Sequence, residues 1–377
     1  MSVVRTYLDY NATAPLRPEA RAAMVDALDF VGNPSSVHAE GRGARTVIET
    51  ARAVVALLVG ARPADVVFTS GASEANATVL GGGWDTIFLS GLEHDSVKAN
   101  ARKCGARLID LPVKRSGEID GAAFARLLGE DDPAIRGRAL VCVQMANNET
   151  GAIQPVTKIA AVAHANSVRL HCDAVQAPGR IAVDCSKLGA DFLTISAHKL
   201  GGPKGAGALV VVDGAPLPAL IAGGGQERGR RAGTENVAAI AGFGAVAELA
   251  VRDLAAAERI RALRDSFEQC IADATPDVQV IGGDSARLGN TSCVALPGLT
   301  AETAVIRLDL AGIAVSAGAA CSSGKVGASA ALAAMGIEPA VARAAFRVSF
   351  GYASSEADVA AFMAAWKTMA VAGERAA

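Results

Sequence analysis

Asp191-Phe-Leu-Thr-Ile-Ser-Ala-His-Lys-Leu-Gly-Gly-Pro-Lys-Gly-Ala-Gly207 is the stretch that decides how this chain is read. A short apolar strand over 192–195 runs into a glycine-rich turn and delivers Ser196, His198 and Lys199 to its carboxyl end. An amine held there, beside a hydroxyl and an imidazole, suits a group that sits partly desolvated and reacts with a carbonyl. Most strand-end lysines are simply solvated, so the motif gains force from a second one. Upstream, Val168-Arg-Leu-His-Cys-Asp-Ala-Val-Gln176 is another apolar-leaning strand, closed by Asp173. A lysine able to form a Schiff base and an aspartate able to keep a pyridine nitrogen protonated are the two groups that pyridoxal phosphate chemistry requires.

Composition allows such an enzyme and excludes several other classes. The chain has 377 residues, enough for about two domains and a large core. Hydrophobic residues make up 51% and charged residues 20%, which excludes disorder as the main state. A formal charge of −2 gives no electrostatic hold on nucleic acid or an anionic membrane, and 4% aromatics leaves little for base stacking. The seven cysteines form no Cys-x-x-Cys pair and no metal-ligand spacing. Their odd number, with no leader-like N-terminus, points to reduced thiols in the cytoplasm. No apolar run approaches the ~20 residues of a membrane span, so a soluble protein is expected.

Working outward from 191–207, short β-rich runs alternate with helical patterns. Strands are expected over 66–69, 86–89, 139–143, 168–172, 192–195 and 208–212, with helices over 43–59 and 157–166 among them. That alternation predicts an α/β fold around a mostly parallel sheet. A long helical stretch over 236–274 follows, then strands at 292–296 and 312–316 and a closing helix. The second pattern reads as a smaller C-terminal α/β domain, with a boundary near 250.

In open α/β sheets ligands bind outside the carboxyl ends of the strands, so residues at those ends should converge. Phe68-Thr-Ser-Gly-Ala-Ser-Glu-Ala-Asn76 passes from strand through Gly71 into a helix, offering backbone N–H groups and the Ser73 hydroxyl to a phosphate. An ordinary serine N-cap would be spelled the same way. Glu93-His94 follows the next strand end, where His94 could stack on a ring or move protons. Asn148, in the turn Met145-Ala-Asn-Asn-Glu-Thr-Gly151, could bond a cofactor hydroxyl. Cys321 stands apart from the other cysteines, which read as small buried hydrophobes. It lies in Ser316-Ala-Gly-Ala-Ala-Cys-Ser-Ser-Gly-Lys-Val-Gly-Ala328, too weakly apolar to be core, and Lys325 nearby favours a thiolate.

These motifs resemble those of the cysteine desulfurases of the NifS/IscS type, class V aminotransferase-fold enzymes. The match runs nearly end to end: Tyr7-Leu-Asp-Tyr-Asn-Ala-Thr-Ala-Pro15, Asn33-Pro-Ser-Ser-Val-His38, Thr69-Ser-Gly-Ala-Ser-Glu-Ala-Asn76, Asn147-Asn-Glu-Thr-Gly151, Asp173-Ala-Val-Gln176, Ser196-Ala-His-Lys199, Arg231-Ala-Gly-Thr-Glu-Asn236, Ala320-Cys-Ser322 and Arg347-Val-Ser-Phe-Gly351. The resemblance implies a fold-type I homodimer with a seven-stranded sheet in a large domain over 14–250 and a small domain over 251–377 joined by 1–13. It implies that Lys199 carries pyridoxal phosphate, that Asp173 pairs with the pyridine nitrogen, and that Gln176 and Asn148 bond the ring oxygen. His94 would stack on the ring. Ala72, Ser73, Ser196 and His198 would hold the phosphate, with Thr234 reaching in from the partner subunit. Arg347 would grip the substrate carboxylate, helped by Asn11 or a neighbour.

By the same resemblance, Cys321 would take sulfur from L-cysteine as a persulfide, releasing alanine, and could transiently ligate an iron–sulfur cluster through that persulfide. The sulfur would pass to an acceptor or scaffold protein. Selenocysteine lyase could share every one of these residues. A nucleotide-binding or scaffold protein is the alternative of another class, and no Walker-type or Rossmann glycine spacing supports it. The plain segment 329–335 and Lys325 depart from the family's usual pattern, and bear on the acceptor rather than on the chemistry.

Overall fold

The computed structural model describes residues 5–129, 138–318 and 329–374. In chain order the strands are β1 (Thr6–Tyr7), β2 (Val66–Thr69), β3 (Thr86–Leu89), β4 (Arg107–Asp110), β5 (Ala139–Gln144), β6 (Arg169–Asp173), β7 (Phe192–Ser196), β8 (Gly207–Val211), β9 (Gln279–Val280), β10 (Thr291–Ala295), β11 (Ile313–Ala314), β12 (Ser316–Ala317) and β13 (Ala345–Ser349).

Seven of them form the main sheet in the order β2-β8-β7-β6-β5-β3-β4. The run from β7 to β4 is parallel, and only β8 opposes its neighbours. Every residue of β2, β3, β5, β7 and β8 is buried, because helices cover both faces, and the sequence answers with unbroken apolar runs. β4 is the exception. It lies at the sheet edge with three of its four residues exposed, so Arg107-Leu-Ile-Asp110 lacks that signature and is absent from the strands expected above.

The helices follow from spacing and caps. Ala39–Leu58 buries Ala44, Ile48, Ala51 and Val55 on one stripe, and its first turn is closed by Nδ1 of His38, which accepts from Gly41 N. The stretch expected as one helix over 236–274 is two, Val237–Asp253 and Ala257–Ala274, separated by a single tight turn at Leu254–Ala256. Gly244 in the first lies against Ala51, where a Cβ would sit 2.8 Å from the Ala51 methyl carbon. Small residues thus let this helix lie close along Ala39–Leu58.

Beyond the turn, β12-β13-β10-β9 form an antiparallel sheet with its own core. Phe267, Phe346, Phe350, Phe362 and Trp366 fill it, with the Phe267 and Phe362 rings 4.9 Å apart edge to face. Leu8 from the N-terminal segment is buried in the same cluster, and β1 pairs with β11 in parallel. The first residues therefore cross from this C-terminal sheet to the main one, carrying Asn11 and Thr13 to the edge where β5, β6 and β7 end.

Candidate active site

The carboxyl ends of β2, β3, β5, β6 and β7 surround a cleft of about 770 Å³, and Gly318, Ala330 and Arg347 close it from the C-terminal sheet. Asn11, Ala72, Ser73, His94, Asn148, Asp173, Gln176, Ser196, His198, Lys199 and Arg347, expected from sequence, all line it.

Lys199 stands on the tight turn after β7. Its Nζ donates to the backbone oxygens of Asn11 at 2.5 Å and Ala12 at 2.8 Å, which fixes the amine at the cleft floor. Across from it, Asp173 ends β6. Its Oδ2 accepts from Asn76 Nδ2 at 2.9 Å and its Oδ1 from the Val175 N–H at 3.1 Å, so the carboxylate is held in one orientation. Gln176, one turn on, donates from Nε2 to Asn11 O and accepts at Oε1 from the Arg180 guanidinium. Burial, and then Arg347 close by, lower the Arg180 pKa to about 9.

Gly71 precedes the helix Ala72–Leu80 with φ 153 and ψ 176, a conformation only glycine adopts easily, and no side chain caps the first turn. A Cβ added at Gly71 would meet nothing within 4 Å, so the helix N-terminus opens into the cleft with its N–H groups available to an anion. His198 lies at the same end, with Nδ1 3.2 Å from Thr13 Oγ1. Burial, then Lys199 and Lys204, drop its pKa to about 4, so its ring is neutral near pH 7.

His94 caps the helix Asp95–Lys103. Its Nδ1 accepts from Ser96 N at 3.1 Å and lies 2.8 Å from Ser96 Oγ. Beside it Glu93 is fully buried. Burial outweighs the Gln144 N–H donated to its Oε1 at 2.7 Å and pushes its pKa to about 8. Arg347, on β13, donates to Asn148 O at 2.9 Å and to Asp9 Oδ1 at 2.6 Å. Its Nε is buried with no partner among the described residues. One edge of the guanidinium is thus offered to an incoming carboxylate.

Several expectations need correction or fall elsewhere. Asn11 is buried with its side chain already engaged, because Nδ2 donates to Asn148 O and Thr291 Oγ1 while Oδ1 accepts from Asn290. It has no donor left for a substrate, and its backbone oxygen instead anchors Lys199. Thr234 is exposed and does not line the cleft of its own chain. Cys321 and Lys325 lie outside the described residues. Cys142, Cys172, Cys185 and Cys293 are buried, and burial raises every one of these thiols, Cys185 and Cys293 to about 12. Cys270 is exposed and Cys104 half-buried, against the expectation of core positions. Among the described residues no cluster of His, Cys, Asp and Glu could hold a metal ion, and no helix is long and apolar enough to cross a membrane.

Asp9, Asn76, Glu93 and Glu149 were not assigned roles by sequence reasoning, although all four stand inside or beside motifs quoted above. Glu149 is buried by desolvating surroundings that raise its pKa, and its Oε2 is without a partner among the described residues.

The residues present fit pyridoxal phosphate: an amine, a carboxylate held in one orientation, and an open helix N-terminus for the phosphate, all lining one cleft of sufficient size. Comparison with known proteins agrees. The family model described as aminotransferase class-V matches residues 6–362. A cysteine desulfurase of Cereibacter sphaeroides is 40% identical over 367 residues, which cover 94% of this chain and 93% of that protein. The NifS-like protein of Rickettsia africae superposes with a TM-score of 0.89 at 33% identity, covering 97% of this chain and 99% of that one. The structure of SspA in complex with cysteine superposes with a TM-score of 0.78 at 30% identity, covering 92% and 98%.

Proposed function

The chain belongs to the aminotransferase class-V family, and we propose that its large cleft runs the cysteine desulfurase reaction with Lys199, Asp173, Arg347 and Cys321 as the working groups. The protein is a pyridoxal phosphate-dependent cysteine desulfurase with L-cysteine as substrate. The cofactor, when bound, supplies the electron sink that weakens bonds at the substrate's α-carbon.

The chain's own residues do the rest. Lys199 Nζ holds the cofactor and moves the proton at the substrate α-carbon, starting from the position its two backbone acceptors define. Asp173, oriented by Asn76 and Val175, would pair with the ring nitrogen. The N–H groups opening the helix Ala72–Leu80, with Ser73, Ser196 and His198, take the phosphate. Thr234, exposed on its own chain, serves a second subunit of a homodimer. His94, Gln176 and Asn148 line the same cleft, where His94 would stack on the ring and Gln176 and Asn148 would bond its oxygen.

Arg347 takes the substrate carboxylate through its unpartnered Nε, while Nη2 stays on Asp9, so that L-cysteine is fixed at one end while its sulfur remains free to be attacked. The Cys321 thiolate attacks that sulfur. A sulfur–sulfur bond forms as the substrate's carbon–sulfur bond breaks, the α-amino acid leaves as alanine, and Cys321 keeps the sulfur as a persulfide. Holding both partners on one protein converts a bimolecular attack into an intramolecular one. The domain boundary near residue 250, the cytoplasmic location and transfer of the sulfur to an acceptor protein for iron–sulfur assembly belong to the same reading.

The observation that carries the assignment is the orphaned, buried Nε of Arg347, a residue that lines the same cleft as Lys199 and Asp173. Purified protein given L-cysteine and a thiol should release alanine and sulfide in equal amounts, and Arg347→Ala should raise KM for cysteine. Turnover of selenocysteine with cysteine inert, or an unchanged KM in Arg347→Ala, would contradict it.

A further inference from the structure

Asn76 stands on the second turn of the helix Ala72–Leu80, below the cleft and fully buried. Its Nδ2 carries two hydrogens and both are used. One goes to Asp173 Oδ2 at 2.9 Å, the other to Ser96 Oγ at 2.9 Å. Its Oδ1 is buried with no partner among the described residues. Turning the amide over would set that oxygen against an oxygen of Asp173, so the observed orientation is the one that gives Asp173 a donor.

Ser96 passes the constraint on. Having accepted from Asn76, its hydroxyl is free to donate to His94 Nδ1 at 2.8 Å, and its backbone N–H points to the same nitrogen at 3.1 Å. Two donors on Nδ1 make it an acceptor, which places the proton of the neutral ring on Nε2. A proton on Nδ1 would face the Ser96 N–H and break the cap of the helix Asp95–Lys103.

We infer that Asn76 and Ser96 are positioning residues that lock His94 as its Nε2–H tautomer and couple its orientation to the carboxylate of Asp173. Asn76 therefore joins Asp173, at the end of β6, to His94, at the cap of the helix Asp95–Lys103, through a helix whose N-terminus opens into the cleft. The role rests on the reading of His94 and Asp173 as cofactor residues.

Cofactor-free protein labelled with 15N-histidine provides the first test, because long-range 15N–1H correlations distinguish the two tautomers without any turnover. His94, identified by the signal lost in His94→Gln, should appear as the Nε2–H form. A neutral ring protonated on Nδ1 overturns the inference whether or not the enzyme desulfurates cysteine.

In the loaded enzyme, Asn76→Leu should lower kcat by about tenfold or more while KM for cysteine stays within about twofold, since Arg347 is untouched. Ser96→Ala should move kcat the same way by less. The double variant should be no worse than Asn76→Leu alone, because both act through one chain of bonds. Losses that multiply, or a rise in KM without a fall in kcat, sink the coupling. Should Asn76→Leu fail to fold, Ser96→Ala with its tautomer signal carries the test.

Discussion

At the carboxyl ends of the parallel strands the cleft of about 770 Å³ holds buried polar atoms that no described residue satisfies, among them Glu93 Oε2, Glu149 Oε2 and Arg347 Nε. At the amino ends of β6 and β7 a second cavity, of about 390 Å³, is lined by Arg62, Asp65, His164, Arg169, Asp191 and Asp213. There the same kinds of side chain are paired off. Asp191 accepts from Arg169 at 2.5 Å, from Leu170 N at 2.7 Å and meets His164 Nε2 at 3.0 Å. Arg62 spans Asp65 at 2.8 Å and Asp213 at 2.9 Å. Charge alone does not mark a ligand site. Among the described residues, unpartnered buried atoms also occur away from the cleft, at Asn76, His171, Glu235 and Ser292, so what sets the cleft apart is that three such side chains line one cavity, where an unmet group costs about 1–3 kcal/mol unless something arrives to meet it.

The largest break in this comparison should come from Lys199→Ala. Turnover should fall to background and the visible band of the bound cofactor should vanish, and a variant that keeps a borohydride-sensitive band would show that another amine holds the cofactor. Asp173→Asn should keep the cofactor, since the phosphate contacts are untouched, yet lose kcat on the order of a hundredfold. Activity within a few-fold of the parent would mean the ring nitrogen is controlled elsewhere. Arg347→Ala should raise KM for cysteine by roughly ten- to a hundredfold, the size of a lost charge-assisted pair.

The paired cavity should behave in the opposite way. Asp191→Asn removes the charge that Arg169 and His164 both meet and leaves one oxygen for the two of them, so the melting temperature should drop by roughly 1–2 °C while kcat and KM stay put. A loss of turnover there would erase the distinction between the two edges.

A further effect is in pH. Glu93 has its folded-state pKa raised by burial to about 8, with Asp173 adding to the rise and Lys98 and His94 opposing it. Its neutral form fits the fold and its anion does not. The contribution is intact below the unfolded value near 4.5 and is lost as pH climbs through about 8. His171 and His198, both depressed to about 4 by burial, slope the other way as pH falls from the ordinary histidine value of 6.5. The difference between the parent and Glu93→Gln isolates the acid: the parent's stability should decline between pH 5 and 8 relative to the variant, by at most about 1.4 kcal/mol per pH unit. Parallel curves would place the Glu93 pKa in the ordinary range.

The parallel core of the fold was legible because strands buried on both faces must be written as apolar runs, as Ala139-Leu-Val-Cys-Val143 is. β4, exposed at the edge, and β1, β9 and β12, two residues each, carry too few side chains to leave a pattern. Site residues at strand ends were legible for the same architectural reason, since Lys199, Asp173 and His94 each follow an apolar run. Asn76 was not, because its role arises from a contact with Asp173 across the sheet. Asn11 shows the converse: an amide near the cleft, expected with its neighbours to help Arg347, looks available in sequence, and only the structure shows its side chain engaged by Asn148, Thr291 and Asn290.

The central claim is that sulfur leaves L-cysteine onto Cys321. Protein incubated with L-cysteine, alkylated and digested should show one added sulfur on the peptide carrying Cys321 and on none carrying Cys104 or Cys270, the two described thiols that are not buried. Cys321→Ser should still bind cofactor and cysteine by spectral change while carrying no added sulfur and releasing no sulfide. Added sulfur on another cysteine, or sulfide release undiminished in Cys321→Ser, would contradict the account.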